Sequence, residues 1–172
     1  ADVTRTFPVG ARFSAAQRAI YDIVLHAQLA AIESIRPGTT ITMPHEHALS
    51  VIVDGLRDLG LIQAARDEAV EQELYRPFFM HRTSHWLGMD VHDVGAYVAD
   101  AQATPRPLES GMVLTVEPGI YIDPALPDID PQFAGIGVRI EDDVLVTDDG
   151  YEVLTDTAPK QIADIEALRA DG

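Results

Sequence analysis

Apolar residues in the first part of the chain recur at the spacing of a helix. The stripe begins after Ser14 and ends before Pro37-Gly38, which is a typical helix stop. Ser14, followed three residues later by Gln17, has the pattern of a capping box, in which side chains satisfy the free N–H groups of the first turn. We therefore expect a long helix that starts at Ser14.

Two later segments carry the same periodicity. A helical stripe predicts a second helix from about Pro44 to Leu59, with Gly60 as its C-terminal stop. A shorter stripe predicts a terminal helix around Ile162, Ile165 and Leu168.

The pattern changes to strands at the start of the chain and after Phe78. Residues 2–7 alternate and are rich in β-branched types, which predicts a strand. The apolar runs 112–116 and 138–146 predict two more, separated by turn residues. Asp142 shares a parity with the valines of the second run, so we expect a bulge or bend near it. Strand, helices, strands and a final helix indicate an α+β fold.

Composition and charge narrow the classes of protein. The chain has 172 residues, which fits one domain or the larger part of one. A formal net charge of −16 argues against a nucleic-acid binder or a ligand of anionic membranes, since both need a basic face. Cysteine is absent, which excludes a thiol nucleophile and a disulfide framework and is compatible with a reducing cytoplasm. We expect a cytoplasmic location.

The candidate chemistry lies in polar residues next to apolar strands. Glu117 ends one predicted strand and Glu141 interrupts another. Because an unpaired carboxylate is costly to bury, these acids, together with Asp2 and a histidine, suggest that cations lie between them. Three carboxylates with one imidazole suit Mn²⁺ and similar ions better than a thiolate zinc site.

Each acidic residue also has a simpler interpretation. Asp2 could be a solvated terminal acid, and Glu117 could end its strand at the surface. Residues 141–143 could form a solvated acidic turn, with Arg139 as an ordinary ion-pair partner of Glu141.

The histidines and the tryptophan have simpler interpretations too. His81 and His85 could share a helix face or lie on the surface. Residues 45–47, His-Glu-His, resemble a metal motif superficially, but they fall at a predicted helix start, and we expect no metal there. Trp86 is expected in the core or in a pocket wall.

Four stretches considered together resemble the catalytic domain of the pita-bread metallopeptidases, and within that family its aminopeptidase P branch. They occur in the family's order, at residues 2–8, 76–95, 114–119 and 137–143. The sequence Ser-His-Trp-Leu-Gly at 84–88 resembles aminopeptidase P more than prolidase. The resemblance implies an incomplete pita-bread fold, in which helices flank a curved antiparallel sheet.

The resemblance also implies roles for individual side chains. The metal ligands that it implies in this chain are Asp2, His85, Glu117 and Glu141. The residues that it implies in catalysis are His81, His92 and Glu117, the histidines by contacting substrate and the glutamate by transferring a proton. The residues that it implies for orienting the carboxylates are Arg139 and Tyr121.

The implied activity is that of an Xaa-Pro aminopeptidase. A hydroxide bridging two divalent ions, manganese first with cobalt or zinc as alternatives, would release the first residue of a peptide whose second residue is proline. Two other functions remain open. The protein could be a prolidase acting on Xaa-Pro dipeptides, or a pita-bread protein that has lost catalysis and serves in binding.

The resemblance also bears on domain organisation. We expect residues 1–172 to form part of a pita-bread catalytic domain that begins inside the active-site sheet. A preceding segment or a separate chain would then supply a fifth ligand, an aspartate, and the isolated fragment would be nearly inactive. The family resemblance further implies a homo-oligomer.

Overall fold

The computed structural model describes residues 1–170, in which helices come first and strands second. The elements in chain order are α1 (Ala15–Glu33), α2 (Met43–Asp58), α3 (Arg66–Glu71), β1 (Val113–Val116), β2 (Gly119–Tyr121), β3 (Gly137–Arg139), β4 (Asp142–Val146), β5 (Tyr151–Val153) and α4 (Ile162–Ala170). This order confirms the predicted α+β class. Within residues 1–170, no helix has both the length and the apolar character needed to cross a membrane.

The two long helices begin and end where the sequence predicts. The backbone N–H of Gln17 donates to Ser14 Oγ at 3.2 Å, and the N–H of Ser14 donates to Gln17 Oε1 at 2.9 Å, which completes the capping box of α1. Gly60 follows α2 with φ +70°, a conformation that glycine adopts without strain. The helices pack closely at Gly55, where a Cβ atom would come within 2.7 Å of Ile23.

All the strand pairs are antiparallel, and they form two small sheets. One sheet has the order β1-β4-β5, and the other pairs β2 with β3. Helix α1 contacts β1, β2 and β3, so the core lies between the helices and both sheets. Large side chains that are fully buried there include Tyr21, Ile52, Leu114, Ile120 and Ile140.

The run 138–146 is divided between the two sheets. Its first part is β3 and its second part is β4, and the change occurs at Ile140 and Glu141, next to Asp142, where we expected a bend. Glu141, Asp142 and Asp143 are only 3%, 0% and 3% exposed. The alternative of a solvated acidic turn is therefore wrong.

The predicted strand at residues 2–7 is wrong except at one position. Only Thr4 pairs with the sheet, in an isolated bridge to Glu141. Further along, the Thr6 hydroxyl donates to the Arg139 carbonyl at 2.8 Å and accepts from its N–H at 3.1 Å. A side chain thus takes the place of a backbone ladder, which alternation in the sequence cannot reveal.

Short elements account for the other differences. Helix α3 and strands β2 and β5 were not predicted, because segments of three to six residues are too short to show a periodic pattern. The terminal helix is confirmed as α4, with Ile162 and Ile165 buried as expected, but Leu168 is 65% exposed.

Candidate metal centre

Four side chains that are distant in sequence converge in the wall of a cavity. His85 Nε2 lies 3.5 Å from Asp2 Oδ2 and 3.4 Å from Glu117 Oε1. Ligand atoms of His85, Glu117 and Glu141 lie within 4.8 Å of one another, and those of Asp2, His85 and His92 form a second such group. The structure thus brings together the residues predicted as metal ligands, with His85 common to both groups.

Backbone pairing beside β1 explains why His85 and Glu117 meet. The N–H of Thr115 donates to the His85 carbonyl at 3.0 Å, and the N–H of Glu117 donates to the Thr83 carbonyl at 2.8 Å. The His85 N–H in turn donates to Thr115 Oγ1 at 3.2 Å. The segment around His85 therefore runs alongside the strand that ends at Glu117, and both side chains face the same space.

The bridge between Thr4 and Glu141 brings the chain start to the same place. The Thr4 hydroxyl donates to Glu141 Oε2, and Arg5 Nη1 donates to the Glu141 carbonyl at 2.6 Å. The Asp2 N–H lies 3.1 Å from the Asp143 carboxylate. Asp2 is therefore tied to β4 close to Glu141, although the two are far apart in sequence.

The chemistry of this donor set fits a divalent cation. His85 Nδ1 lies 3.0 Å from the Trp86 carbonyl, which can only accept, so Nδ1 carries a proton and Nε2 is the nitrogen that faces Asp2 and Glu117. Within residues 1–170, Nε2 is buried and has no hydrogen-bond partner. An imidazole nitrogen held among carboxylates is a donor set that suits divalent ions.

Burial perturbs the acids of the cluster. It raises the pKa of Glu117, an effect that His85 and Arg139 partly offset and the neighbouring Asp2 adds to. It also raises the pKa of Glu141, against the hydrogen bond from Thr4. Without a cation, both groups are destabilised as anions, which is a further sign of a site built for positive charge.

The other predicted site residues lie around this cluster. The His92 ring is stacked on that of His85, with centroids 4.1 Å apart. His81 Nδ1 donates to the Arg82 carbonyl at 2.8 Å, and its Nε2 lies 2.8 Å from the Tyr121 hydroxyl. Within residues 1–170, the Tyr121 hydroxyl has a hydrogen-bond contact with a histidine, and none with a carboxylate.

Arg139 pairs with a different acid from the one that its simpler interpretation named. Its Nη1 lies 3.8 Å from Glu117 Oε2, so the ion pair is made with Glu117 and not with Glu141. Trp86 is in the core and 7% exposed.

A cavity of about 910 Å³ extends from these side chains over a more apolar wall. Seven of the eight predicted site residues line it: Asp2, His81, His85, His92, Glu117, Arg139 and Glu141. Tyr121 is not a lining residue, but its hydroxyl lies 2.8 Å from Nε2 of the lining residue His81. The apolar part of the wall consists of Ile41, Val98, Ala103 and Pro105. The volume is within the range of small-ligand sites.

One histidine of the cavity wall, His45, was not predicted as a site residue. His45 lines the cavity and its Nδ1 lies 2.9 Å from Thr83 Oγ1. Glu46 and His47 are exposed, and His45 belongs to no candidate metal group in the described part of the chain. Its position at the start of α2 carried no signal of a contact with a residue 38 positions away.

The half-buried ring of His45 makes folding stability depend on pH. Burial, with Arg82 and His81 nearby, lowers its pKa from 6.5 to about 4. Between these values the unfolded chain binds a proton that the folded chain does not, so stability falls as pH drops from 6.5 to about 4. Because the ring is partly exposed, we expect a loss on the order of 1–2 kcal/mol after allowing for solvent screening.

His45→Asn is expected to remove this part of the pH dependence, since asparagine can still accept from Thr83. Urea unfolding of the metal-free protein at pH 4, 5 and 6.5 measures it. His26→Asn, at an exposed position of α1, is the matched control. Equal pH slopes in His45→Asn and the wild type would contradict the assignment.

Known proteins resemble the chain in sequence and in structure. Metallopeptidase family M24 matches residues 1–148. An Xaa-Pro aminopeptidase of Haemophilus influenzae is 52% identical over 167 residues, which are 97% of this chain and 38% of that protein. The structure of Pseudomonas aeruginosa aminopeptidase PepP matches with a TM-score of 0.95 and 52% identity, over 98% of this chain and 38% of that one.

A further structure, that of Escherichia coli aminopeptidase P with the inhibitor Pro-Leu, matches with a TM-score of 0.92 and 49% identity, over 99% of this chain and 38% of that one. The chain thus spans 38% of the length of these relatives. The structural agreement confirms the predicted pita-bread fold. Since the family match extends over most of the sequence, the chain belongs to metallopeptidase family M24.

Proposed function

We propose that residues 1–172 form part of the catalytic domain of an Xaa-Pro aminopeptidase, which releases the N-terminal residue from peptides with proline in second position. The observation that carries the proposal is the buried Nε2 atom of His85, which has no hydrogen-bond partner within residues 1–170 and faces carboxylates from two distant segments. Membership of the metallopeptidase family and the names of the relatives support a peptidase that prefers proline in the second position.

The residues that would hold the metal are Asp2, His85, Glu117 and Glu141. The three carboxylates beside one imidazole offer enough oxygen atoms for a pair of ions, and the oxygen-rich set favours Mn²⁺, with Co²⁺ or Zn²⁺ as alternatives. When bound, such ions would polarise the substrate carbonyl and acidify a water molecule.

The chain's own side chains would then handle protons and substrate. Glu117, whose pKa burial raises, accepts a proton at a carboxylate oxygen and returns it to the leaving proline nitrogen. Arg139 stabilises the charged form of Glu117 from 3.8 Å. Tyr121 fixes the ring of His81 at the cavity wall beside the substrate, and His92 donates a hydrogen bond to the developing oxyanion.

Product analysis on a matched set of tripeptides tests this function. With Mn²⁺ present, the full-length protein is expected to convert Ala-Pro-Leu into alanine and Pro-Leu, the dipeptide that inhibits the E. coli enzyme. N-acetyl-Ala-Pro-Leu should resist cleavage, and Ala-Ala-Leu should react roughly 100-fold more slowly. Equal rates on Ala-Pro-Leu and Ala-Ala-Leu, or no cleavage of either, would refute the proposal.

A further inference from the structure

Arg82 is a cation at the cavity that has no acidic partner. Its side chain is exposed and lines the cavity. Within residues 1–170, no carboxylate lies within ion-pairing distance of it, although the chain carries a net charge of −16. The other arginine of the cavity, Arg139, lies 3.8 Å from Glu117. The positive charge of Arg82 is therefore available to a ligand.

The Thr83 hydroxyl determines which nitrogen of His45 carries the proton. Thr83 is fully buried, and within the described residues its hydroxyl has no hydrogen-bond partner other than His45 Nδ1, at 2.9 Å. Because a buried hydroxyl proton needs an acceptor, Thr83 donates to Nδ1 and the proton of the neutral ring is on Nε2. With a pKa of about 4, the ring is neutral near pH 7.

The Nε2–H group of His45 is free to bind a ligand. In the described part of the chain it has no hydrogen-bond partner and is not among the fully buried polar atoms, while the ring lines the cavity. The Phe79 ring packs against both His45 and His81, with centroids 5.4 and 5.1 Å away. Within residues 1–170, His45 belongs to neither candidate metal group, so its N–H is not part of the carboxylate cluster.

These donors add a second kind of polar group to the cavity wall. Besides the carboxylates of the candidate metal centre, the wall carries the His45 N–H and the Arg82 guanidinium, whose charge acts on the His45 ring. A planar guanidinium near a neutral N–H donor matches the two oxygens of a carboxylate. The apolar residues of the wall can accommodate the side chains of a ligand.

We propose that Arg82 and the Nε2–H of His45 form a subsite for the free C-terminal carboxylate of a short peptide, and that this subsite determines which peptides the cavity favours. The inference rests on the proposed peptidase function and specifies its substrate class. Short peptides that end in a free carboxylate are preferred over amidated peptides, which lack the negative charge, and over long peptides, whose C-termini extend beyond both donors.

Paired acid and amide ligands test the subsite in the full-length protein with Mn²⁺. Calorimetry should give a Kd for Pro-Leu about 10- to 100-fold lower than for Pro-Leu-amide, as expected for charge-assisted hydrogen bonds. The same preference should appear in kcat/KM for Ala-Pro-Leu over its amide. Arg82→Gln should bring both ratios close to 1, and His45→Phe should lower them about threefold. Arg76→Gln, at an exposed arginine paired with Glu73, is the control and should change neither ratio.

The outcomes separate this inference from the function on which it rests. Equal cleavage of acid and amide by the wild type, or an acid preference unchanged in Arg82→Gln, overturns the subsite and leaves the peptidase proposal intact. Cleavage of neither peptide overturns the peptidase proposal, and calorimetry then decides the subsite. In that case, binding of Pro-Leu no tighter than of its amide overturns the subsite as well.

Discussion

Replacing Glu141 by glutamine is expected to lower kcat/KM of the full-length protein on Ala-Pro-Leu by at least about 10³-fold, or roughly 4 kcal/mol of transition-state stabilisation. The side chain is 3% exposed and its ligand atoms share a 4.8 Å cluster with those of His85 and Glu117. Glutamine keeps the size but removes the charge, so a metal ligand and its positioning effect are lost together.

The same variant has a second readout that does not depend on activity. Because burial raises the pKa of Glu141, its charge destabilises the metal-free fold, and Glu141→Gln should unfold at a higher urea concentration than the wild type once metal is removed. Glu152→Gln is the control, since Glu152 lies exposed on the adjacent strand β5. Near-normal turnover with full metal occupancy in Glu141→Gln would refute its role as a ligand.

Replacing Asp142 by alanine is expected to lower the free energy of unfolding by about 3–5 kcal/mol. The carboxylate is completely buried and accepts four hydrogen bonds. The donors are Arg5 Nη2 at 2.6 Å, Thr155 Oγ1 at 2.7 Å, Lys160 Nζ at 2.6 Å and Gln28 Nε2 at 2.6 Å. Alanine would leave two largely buried cations without their counter-ion, which is the costly way to break such a cluster.

Urea unfolding of the full-length protein at pH 7 measures this loss, with Asp148→Ala as the control at an exposed acid in the turn between β4 and β5. Burial pushes the pKa of Asp142 up, but the bonds from Lys160, Arg5 and Thr155 outweigh it and the pKa falls. The contribution is therefore full above the ordinary carboxyl pKa of 3.8 and is lost only as pH falls below it. A loss under about 1 kcal/mol at pH 7 would show that the cluster does not stabilise the fold.

Local signals predicted the long helices because each signal acts within a few residues. The capping box at Ser14 and the glycine at position 60 define helix ends without help from the rest of the chain. The start of the chain behaves differently. The alternation of residue types predicted a strand, but only Thr4 pairs with the sheet. The segment opposite it passes from β3 to β4 around Glu141, so it offers no continuous strand for pairing.

The candidate site was predictable only in part, and mainly through family resemblance. The stretches at 2–8, 76–95, 114–119 and 137–143 indicated which acids and histidines converge. The strand pattern alone could not decide whether Glu117 lies in the site or ends its strand at the surface. Parity did place Asp142 correctly on the apolar side of its run, where it is buried. Its partners, 18 and 137 residues away, follow from the tertiary fold and from no local pattern. The fifth metal ligand that the resemblance implies stays a prediction.

The central claim is that Asp2, His85, Glu117 and Glu141 hold divalent cations. Anomalous diffraction at the manganese edge, from crystals of the full-length protein grown with Mn²⁺, tests it most directly. We expect two peaks, with donor atoms of these four side chains within about 2.5 Å of at least one of them. Absence of a peak within bonding distance of His85 Nε2, or manganese bound only elsewhere, would contradict the account.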